Sequence, residues 1–427
     1  MVKLTYSEAL AYIHSVSWKG SVPGLSRITE LCGKMGNPQE KLRFIHVTGT
    51  NGKGSSCAML ESILRNAGYK TGLFTSPFVK HFNERMAVCG KSISDEQLAE
   101  ITGEVKVYAD SMTESPTEFE LITAIAFRYF EKEKCDIVIL EVGMGGRLDS
   151  TNVVHNTAVS LITGVALDHT EYLGDTVEKI AAEKAGIIKP GRPVVCGLRE
   201  ENSGAARVIR EKAEALGSEF IQVDYGKLKI TKADLSGAEF SYGEFKEMRI
   251  SLLGLYQPEN AAKVLETVKV LRKLGYGLSE EAVRKGLSDT VWHARFEKLS
   301  ENPLIIYDGS HNPEGVTEAV KTIKKYFGEK KVNLLTGVMA DKEYRLMAKK
   351  LSEIANEVFC VKPDNPRALD AESLAAVYSG FGIKSQNFTD FRKGVLIAKE
   401  ESLKTGIPLV CLGSLYMYKD FTDALGV

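Results

Sequence analysis

The sequence predicts an α/β protein. An N-terminal P-loop-type, mostly parallel sheet domain carries a small antiparallel appendage, and a C-terminal Rossmann-like α/β domain follows. Three observations predict this. An apolar run, Phe44-Ile45-His46-Val47, leads into a lysine-centred glycine loop at residues 48–55. Apolar strand-like runs then alternate with helix-like stretches over the first 200 residues, and a second β/α series begins near Glu297. Repeated β-then-α order implies a parallel sheet covered by helices, with ligands at the strand carboxyl ends.

Each element has its own signal. After the glycine loop, Met59, Leu60, Ile63, Leu64 and Ala67 fall on one helical face and Gly68 stops the helix. Leu73-Phe74-Thr75 reads as the next strand, and residues 118–131 as a helix. Ile137-Val138-Ile139-Leu140 and Ala158-Val159-Ser160-Leu161-Ile162 are further strands, with Pro193-Val194-Val195-Cys196 expected as the last of the series. From about 218 to 253 the texture changes to short, partly alternating runs joined by tight turns, which predicts the antiparallel appendage. Helix returns at Gln257-Pro258-Glu259-Asn260, where Pro258 suits a first helical turn. In the second series, Leu304-Ile305-Ile306-Tyr307, Val332-Asn333-Leu334-Leu335-Thr336, Val358-Phe359-Cys360-Val361 and Leu409-Val410-Cys411-Leu412 are strands. The expected boundary lies near 292–296, dividing residues 1–294, appendage included, from residues 295–427.

Composition excludes several classes. The chain has 427 residues, 44% hydrophobic and 26% charged, with a formal net charge of −1. No global basic field recruits nucleic acid or anionic membrane, so any anionic substrate must meet local cations. The seven cysteines form no C-x-x-C pair and suggest neither a zinc site nor a disulfide framework. The first residues lack a signal peptide's apolar stretch and no run is long enough to span a bilayer, so a cytoplasmic protein is expected. A monomer is expected too, because no heptad seam advertises a partner face.

Strand, glycine loop and helix N-terminus together make a phosphate cradle, with Lys53 as its positive charge. The spelling departs from the common P-loop: Gly49 stands three residues before Gly52, and Gly54 then Ser55 follow the lysine. Glu141 ends a strand, where a carboxylate is well placed to hold Mg²⁺ beside nucleotide phosphates; a salt bridge to Arg147 is the competing reading. Asp168-His169 lies at another strand exit, with His169 a candidate ligand or orienter. Ser76 offers a hydroxyl to Mg²⁺, and Phe78 to Arg85 mix aromatics and cations that suit a flat, anionic ligand. Asp308-Gly309-Ser310-His311-Asn312-Pro313 occupies the equivalent strand end of the second series.

Six ordered blocks carry a resemblance. They are Gly49-Thr50-Asn51-Gly52-Lys53-Gly54-Ser55; Thr75-Ser76-Pro77-Phe78 with Phe82-Asn83-Glu84-Arg85; Glu141-Val142-Gly143-Met144-Gly145-Gly146-Arg147-Leu148-Asp149-Ser150-Thr151-Asn152; Asp168-His169; Glu183-Lys184-Ala185-Gly186-Ile187-Ile188-Lys189-Pro190-Gly191; and Asp308 to Pro313. In this order, over most of the chain, they resemble the folylpolyglutamate synthase/dihydrofolate synthase family of Mur ligases, whose loop shares both P-loop departures.

The resemblance implies an ATP- and Mg²⁺-dependent amide ligase. ATP would convert a carboxylate to an acyl phosphate, and the amine of L-glutamate would displace phosphate. The acid would be a reduced folate, dihydropteroate, or both. By motif match, Gly49, Thr50, Asn51, Gly52, Lys53, Gly54 and Ser55 hold ATP phosphates, and Ser76, Glu141 and His169 surround Mg²⁺. Asn260, Arg295 and Asp308 match further ATP contacts, which implies an ATP-binding domain followed by a glutamate-ligase domain. Lys184 matches a lysine carried as a carbamate that supports a second Mg²⁺; a helix-surface lysine is its competing reading. Thus Lys53, His169, Lys184 and His311 are the candidate catalytic residues. Ser414, with His311, is implied at the glutamate end, and Arg27, Thr117 and Asp149 on the folate side. The alternatives are a Mur-type ligase acting on another carboxylic acid, and a nucleotide-binding regulatory ATPase without ligase chemistry.

Overall fold

The computed structural model describes residues 2–20, 22–199 and 203–427. The chain divides into two compact units. The first comprises Met1–Leu228, Tyr242–Phe245 and Glu259–Thr290; the second comprises Lys229–Ser241, Lys246–Pro258 and Val291–Val427.

The first unit is built on eight strands: β1 Phe44–Thr48, β2 Thr71–Phe74, β3 Met86–Val88, β4 Lys91–Ser92, β5 Ile137–Glu141, β6 Thr157–Ile162, β7 Val194–Cys196 and β8 Phe220–Gln222. Their order in the sheet is β4-β3-β2-β5-β1-β6-β7-β8. All neighbours from β2 to β8 pair in parallel, whereas β3 and β4 add an antiparallel edge. Every residue of β1, β5 and β6 is buried, as a parallel sheet covered on both faces requires. One core packs Phe44, Phe74, Phe127 and Phe130 on one side, and another packs Ile162, Ile180, Ile188 and Ile209. The later strands β5 and β6 flank β1, so strand order reverses there and a crevice opens at its carboxyl end.

Two expectations are corrected here. Pro193 to Cys196 is not the last strand, because β8 follows it in the same sheet. The antiparallel appendage therefore begins not near 218 but at β9 Leu228–Asp234, continuing through β10 Gly237–Tyr242 and β11 Phe245–Ile250. By compactness, residues 229–241 and 246–258 are counted with the second unit. The physical reason is packing: Leu253 belongs to the core that contains Phe296, Ile306 and Leu334, and Leu235 packs against it.

The second unit carries β12 Glu297–Glu301, β13 Leu304–Asp308, β14 Val332–Thr336, β15 Ala355–Val361, β16 Lys384–Phe388 and β17 Leu409–Leu412. The order is β12-β13-β17-β14-β15-β16, parallel from β13 onward, with β12 an antiparallel edge. β13 and β17 run side by side with Asp308 opposite Leu412, which aligns their exits. The mixed α/β architecture with two mostly parallel sheets and a small antiparallel one is the class the sequence predicts.

Candidate active site

The glycine loop leaves β1 and enters the helix Lys53–Asn66 through Gly52. Gly52 stands at φ +84°, a left-handed conformation that costs a residue with a Cβ roughly 1–2 kcal/mol. A Cβ there would also lie 2.6 Å from the Asn260 side-chain oxygen, so Gly52 lets Asn260 approach the loop. At Gly49 a Cβ would meet Thr163 Oγ1 at 1.9 Å. That same hydroxyl donates to Asn51 O at 2.7 Å, while Thr50 N–H donates to Gly164 O at 3.0 Å. The Thr50 hydroxyl both accepts from Ala166 N–H and donates to Ala166 O. The loop is thus suspended from the segment that follows β6. No side chain caps the helix, so its first N–H groups keep the arrangement an anion needs. Lys53 Nζ folds back over the loop, donating to Gly49 O at 2.9 Å and Thr50 O at 3.2 Å. Ser55 is buried in the first turn, beside Gly54.

Two further strand exits converge on this loop. Thr48 hydroxyl donates to Gly145 O at 2.6 Å, tying β1 to the turn after β5. Glu141, buried at the end of β5, accepts the Ser76 N–H at 3.2 Å, and Ser76 Oγ accepts from Arg85 Nη1 at 2.9 Å. Ser76 and Glu141 are therefore neighbours. The competing Arg147–Glu141 bridge is absent among the described residues: Arg147 pairs with Glu183 at 2.7 Å. Asp168 and His169 stand at the exit of β6, with His169 at φ +48° and its backbone N–H on Asp168 Oδ1. Thr48, Gly49, Thr50, Lys53, Gly143, Met144, Asp168, His169 and Lys184 line one cavity.

Lys184 is not on a helix surface. It is only 3% exposed, in the last turn of the helix Val177–Ala185. Burial, reinforced by the Lys53 charge, pushes its ammonium down to about 7, against partial support from Asp168 and Asp149. A lysine held this low gives up its proton more readily than a solvated one.

The three folate-side candidates are engaged locally. Buried Arg27 donates to Glu120 at 3.0 Å, Glu114 at 3.2 Å and Val22 O at 2.7 Å. Thr117 is the N-cap of the helix Glu118–Lys132, accepting from Glu120 N–H while its own N–H reaches Glu120 Oε2 at 2.7 Å. Arg27 and Thr117 thus meet on one carboxylate. Asp149 accepts N–H groups from Met144 at 2.9 Å and Thr151 at 3.0 Å, which fixes the turn after β5. Burial holds its carboxyl above the ordinary value despite those hydrogen bonds.

In the second unit, Asp308 ends β13 fully buried. It accepts from Phe296 N–H at 2.9 Å, Tyr256 Oη at 3.0 Å and Ser310 N–H at 2.9 Å. Arg295 donates to Ala294 O at 3.0 Å, and its guanidinium lies where a Cβ on Gly309 would come within 2.5 Å. His311 Nδ1 is 2.9 Å from Gly309 O, so this ring nitrogen donates to the carbonyl. Ser414 is buried after β17; its hydroxyl accepts from Tyr416 N–H at 3.2 Å and its carbonyl takes Tyr307 Oη at 2.6 Å. Arg295, Asp308, His311 and Ser414 therefore share one end of this sheet.

Two contributors lacked a local signal. Thr163 shapes the loop from 112 positions away, and Tyr256 supports Asp308 from 52 away. The capping box Thr117-x-x-Glu120 was legible as a helix start, and Ser94-x-x-Gln97 opens the unpredicted helix Asp95–Ala109 in the same way.

The comparisons with known proteins agree with this geometry. The Mur ligase middle domain matches residues 47–268, and the Mur ligase glutamate ligase domain matches residues 294–415. The dihydrofolate synthase/folylpolyglutamate synthase of Bacillus subtilis is 37% identical over 431 residues, 98% of this chain and 99% of its own. The folylpolyglutamate synthase of Lacticaseibacillus casei is 37% identical over 427 residues, covering 97% of each chain. The crystal structure of folylpolyglutamate synthase from Thermotoga maritima superposes with a TM-score of 0.86 at 33% identity, over 99% of this chain and 97% of that one.

Proposed function

The chain belongs to the folylpolyglutamate synthase/dihydrofolate synthase family of Mur ligases, and from that premise we propose how its residues divide the work of joining L-glutamate to a folate. It is an ATP- and Mg²⁺-dependent acid–amino-acid ligase. An unactivated carboxylate is a poor acyl donor; bound MgATP supplies the phosphoryl group that makes an acyl phosphate, from which the glutamate amine displaces phosphate.

The loop from Gly49 to Ser55 holds the phosphates through its N–H groups. Lys53 exchanges its two loop carbonyls for phosphate oxygens and offsets charge on the group in transfer. The donor set around Glu141 fits Mg²⁺, which keeps several waters and takes one or two protein oxygens beside substrate phosphates. Glu141 and the hydroxyl of Ser76 would supply those oxygens, and His169 stands at the adjacent strand exit. Among the described residues no group of three His, Cys, Asp or Glu side chains is arranged to hold a metal ion. Asn260, Arg295 and Asp308 are assigned to the nucleotide, and His311 and Ser414 to the incoming glutamate. Arg27 and Thr117 act on the folate side through the segment they brace, and Asp149 through the turn it fixes.

The observation that carries most weight is Lys184. A neutral amine is the form that attacks carbon dioxide, releasing a proton and leaving a carbamate. A carbamate would give this buried position the anion that a second Mg²⁺ needs. Lys184→Ala should lose activity that added bicarbonate does not restore; full activity in that variant returns Lys184 to a packing role.

The small-molecule partners are L-glutamate and a reduced folate or dihydropteroate. No helix among the described residues is long and apolar enough to cross a membrane. We take the working form to be a cytoplasmic monomer that binds no nucleic acid, to be checked by sedimentation and cell fractionation. The decisive assay follows ADP release with MgATP and L-glutamate, adding tetrahydrofolate or dihydropteroate in separate reactions. Release with tetrahydrofolate, and a product heavier by one glutamyl unit, is expected; the dihydropteroate reaction decides whether the second activity is present. Silence in both sends the search to other carboxylic acids.

A further inference from the structure

Arg295 sits at the centre of an unusual backbone. Its neighbours Ala294 and Phe296 both adopt left-handed conformations, at φ +58° and +47°. Residues with a Cβ rarely do so, and each such residue needs surrounding structure to hold it. Here the holding groups are two carboxylates, one on each flank. Phe296 N–H donates to Asp308 Oδ2 at 2.9 Å, and Ala294 N–H donates to Glu297 Oε2 at 2.8 Å. Ala294 O in turn accepts from Gly309 N–H at 2.8 Å and from the Arg295 guanidinium at 3.0 Å.

Glu297 is itself anchored. Tyr418 Oη donates to its Oε2 at 2.8 Å, and His293 Nδ1 lies 2.7 Å from its Oε1. Tyr418 is buried and packs edge-on against Tyr307 of β13, with ring centroids 4.9 Å apart. Burial alone would push the Glu297 carboxyl up, but the hydrogen bonds from His293, Ala294 and Tyr418 hold it below its ordinary value. Ala294 N–H and Tyr418 Oη both donate to Oε2, and donors of this kind favour the carboxylate, the stronger acceptor for an amide N–H.

We propose that Glu297, anchored by Tyr418, is a positioning residue for ATP: it clamps the left-handed Ala294–Phe296 turn that aims the Arg295 guanidinium. Asp308 holds the opposite flank of the same turn. The proposal rests on the assignment of Arg295 to the nucleotide, given above. Glu297 touches no reacting atom in this scheme and acts through Arg295 alone.

The test is steady-state kinetics of the full-length enzyme, with thermal unfolding followed in parallel. Glu297→Ala should raise KM for MgATP by about tenfold, the effect of losing one charge-assisted hydrogen bond, while kcat changes less. Glu297→Gln keeps an oxygen for the Ala294 N–H and should stay within about threefold of the parent. Tyr418→Phe, which removes only a hydroxyl, should shift KM for MgATP in the same direction by a smaller factor. In an Arg295→Ala background, Glu297→Ala should add nothing further to KM for MgATP, because its effect has no other route. Multiplying effects in that background would overturn the clamp. So would an unchanged KM in Glu297→Ala beside a raised one in Arg295→Ala. If Arg295→Ala itself leaves KM for MgATP unchanged, the nucleotide assignment fails first and the proposal falls with it.

Discussion

The exits of β1 and β13 share one local plan and opposite chemistry. Each is a buried parallel strand that ends in a glycine-bearing turn and enters a helix, Lys53–Asn66 in one case and Pro313–Phe327 in the other. After β1 the helix starts at a left-handed glycine with no side-chain cap, and a lysine sits in its first turn. After β13 the Asn312 side chain caps the helix by accepting from Gly315 N–H at 2.8 Å, and Asp308 takes the Ser310 N–H. One exit begins its helix without a side-chain cap, whereas the other caps it with Asn312 and presents acceptors. Function therefore follows from how a strand end handles its first few N–H groups, not from the β/α unit that produces it.

Substitutions can break this contrast, and they rank by expected effect. Lys53→Ala removes the cation from the open exit and should lower turnover by about a thousandfold with circular dichroism unchanged. Turnover near that of the parent would mean the uncapped helix start alone carries phosphate recognition. Gly52→Ala forces a Cβ onto a left-handed position 2.6 Å from the Asn260 oxygen. It should cost about 1–3 kcal/mol in denaturant unfolding and weaken ATP in an equilibrium titration. Normal ATP affinity in that variant would show that the loop tolerates another shape.

Lys184 sharpens the contrast through pH. From about 7 up to the ordinary lysine value of 10.5, the unfolded chain carries a proton that the folded chain lacks. Stability should therefore rise with pH across that window, and the burial penalty is fully present below it. In buffer purged of carbon dioxide, Lys184→Met should melt higher than the parent at about pH 6, with the gap closing toward about pH 10. A gap of constant size would assign the difference to packing instead. The smallest effect belongs to the closed exit: Asn312→Ala should lose about 1 kcal/mol of stability and leave ATP affinity alone. A large loss of ATP affinity there would make the two exits less different than their hydrogen bonds indicate.

Much of this was legible in the sequence for a physical reason. The strand, glycine loop and helix at residues 44–68 are contiguous, so the apolar run, the glycines with Lys53 and the helical periodicity all fall within 25 positions. Lys53 and the Asp168-His169 pair were placed by strand ends, and Lys184 joined them only through the family resemblance; all four line one cavity. What escaped was settled by distant partners. Lys184 is compatible in sequence with a solvated helix face, and only packing of the helix Val177–Ala185 buries it. Arg27 looks like a ligand-seeking cation until Glu120, 93 positions on, takes its Nε. The appendage boundary moved because β8 is three residues long, too short for an alternating pattern to announce it. Leu235 and Leu253 meet a core that no local pattern names.

The suspension of the glycine loop from the segment after β6 has a consequence for biogenesis. Its staples, Thr163 to Asn51 and Thr50 to Ala166, span 112 and 116 positions. A chain emerging from the ribosome displays the whole of residues 49–55 long before Thr163 and Ala166 exist to shape them. Such long-range closures come late, after β6 has docked beside β1. Nucleotide binding is then a maturation marker: a nascent chain stalled before residue 157 should ignore an ATP resin that one stalled well past residue 166 engages.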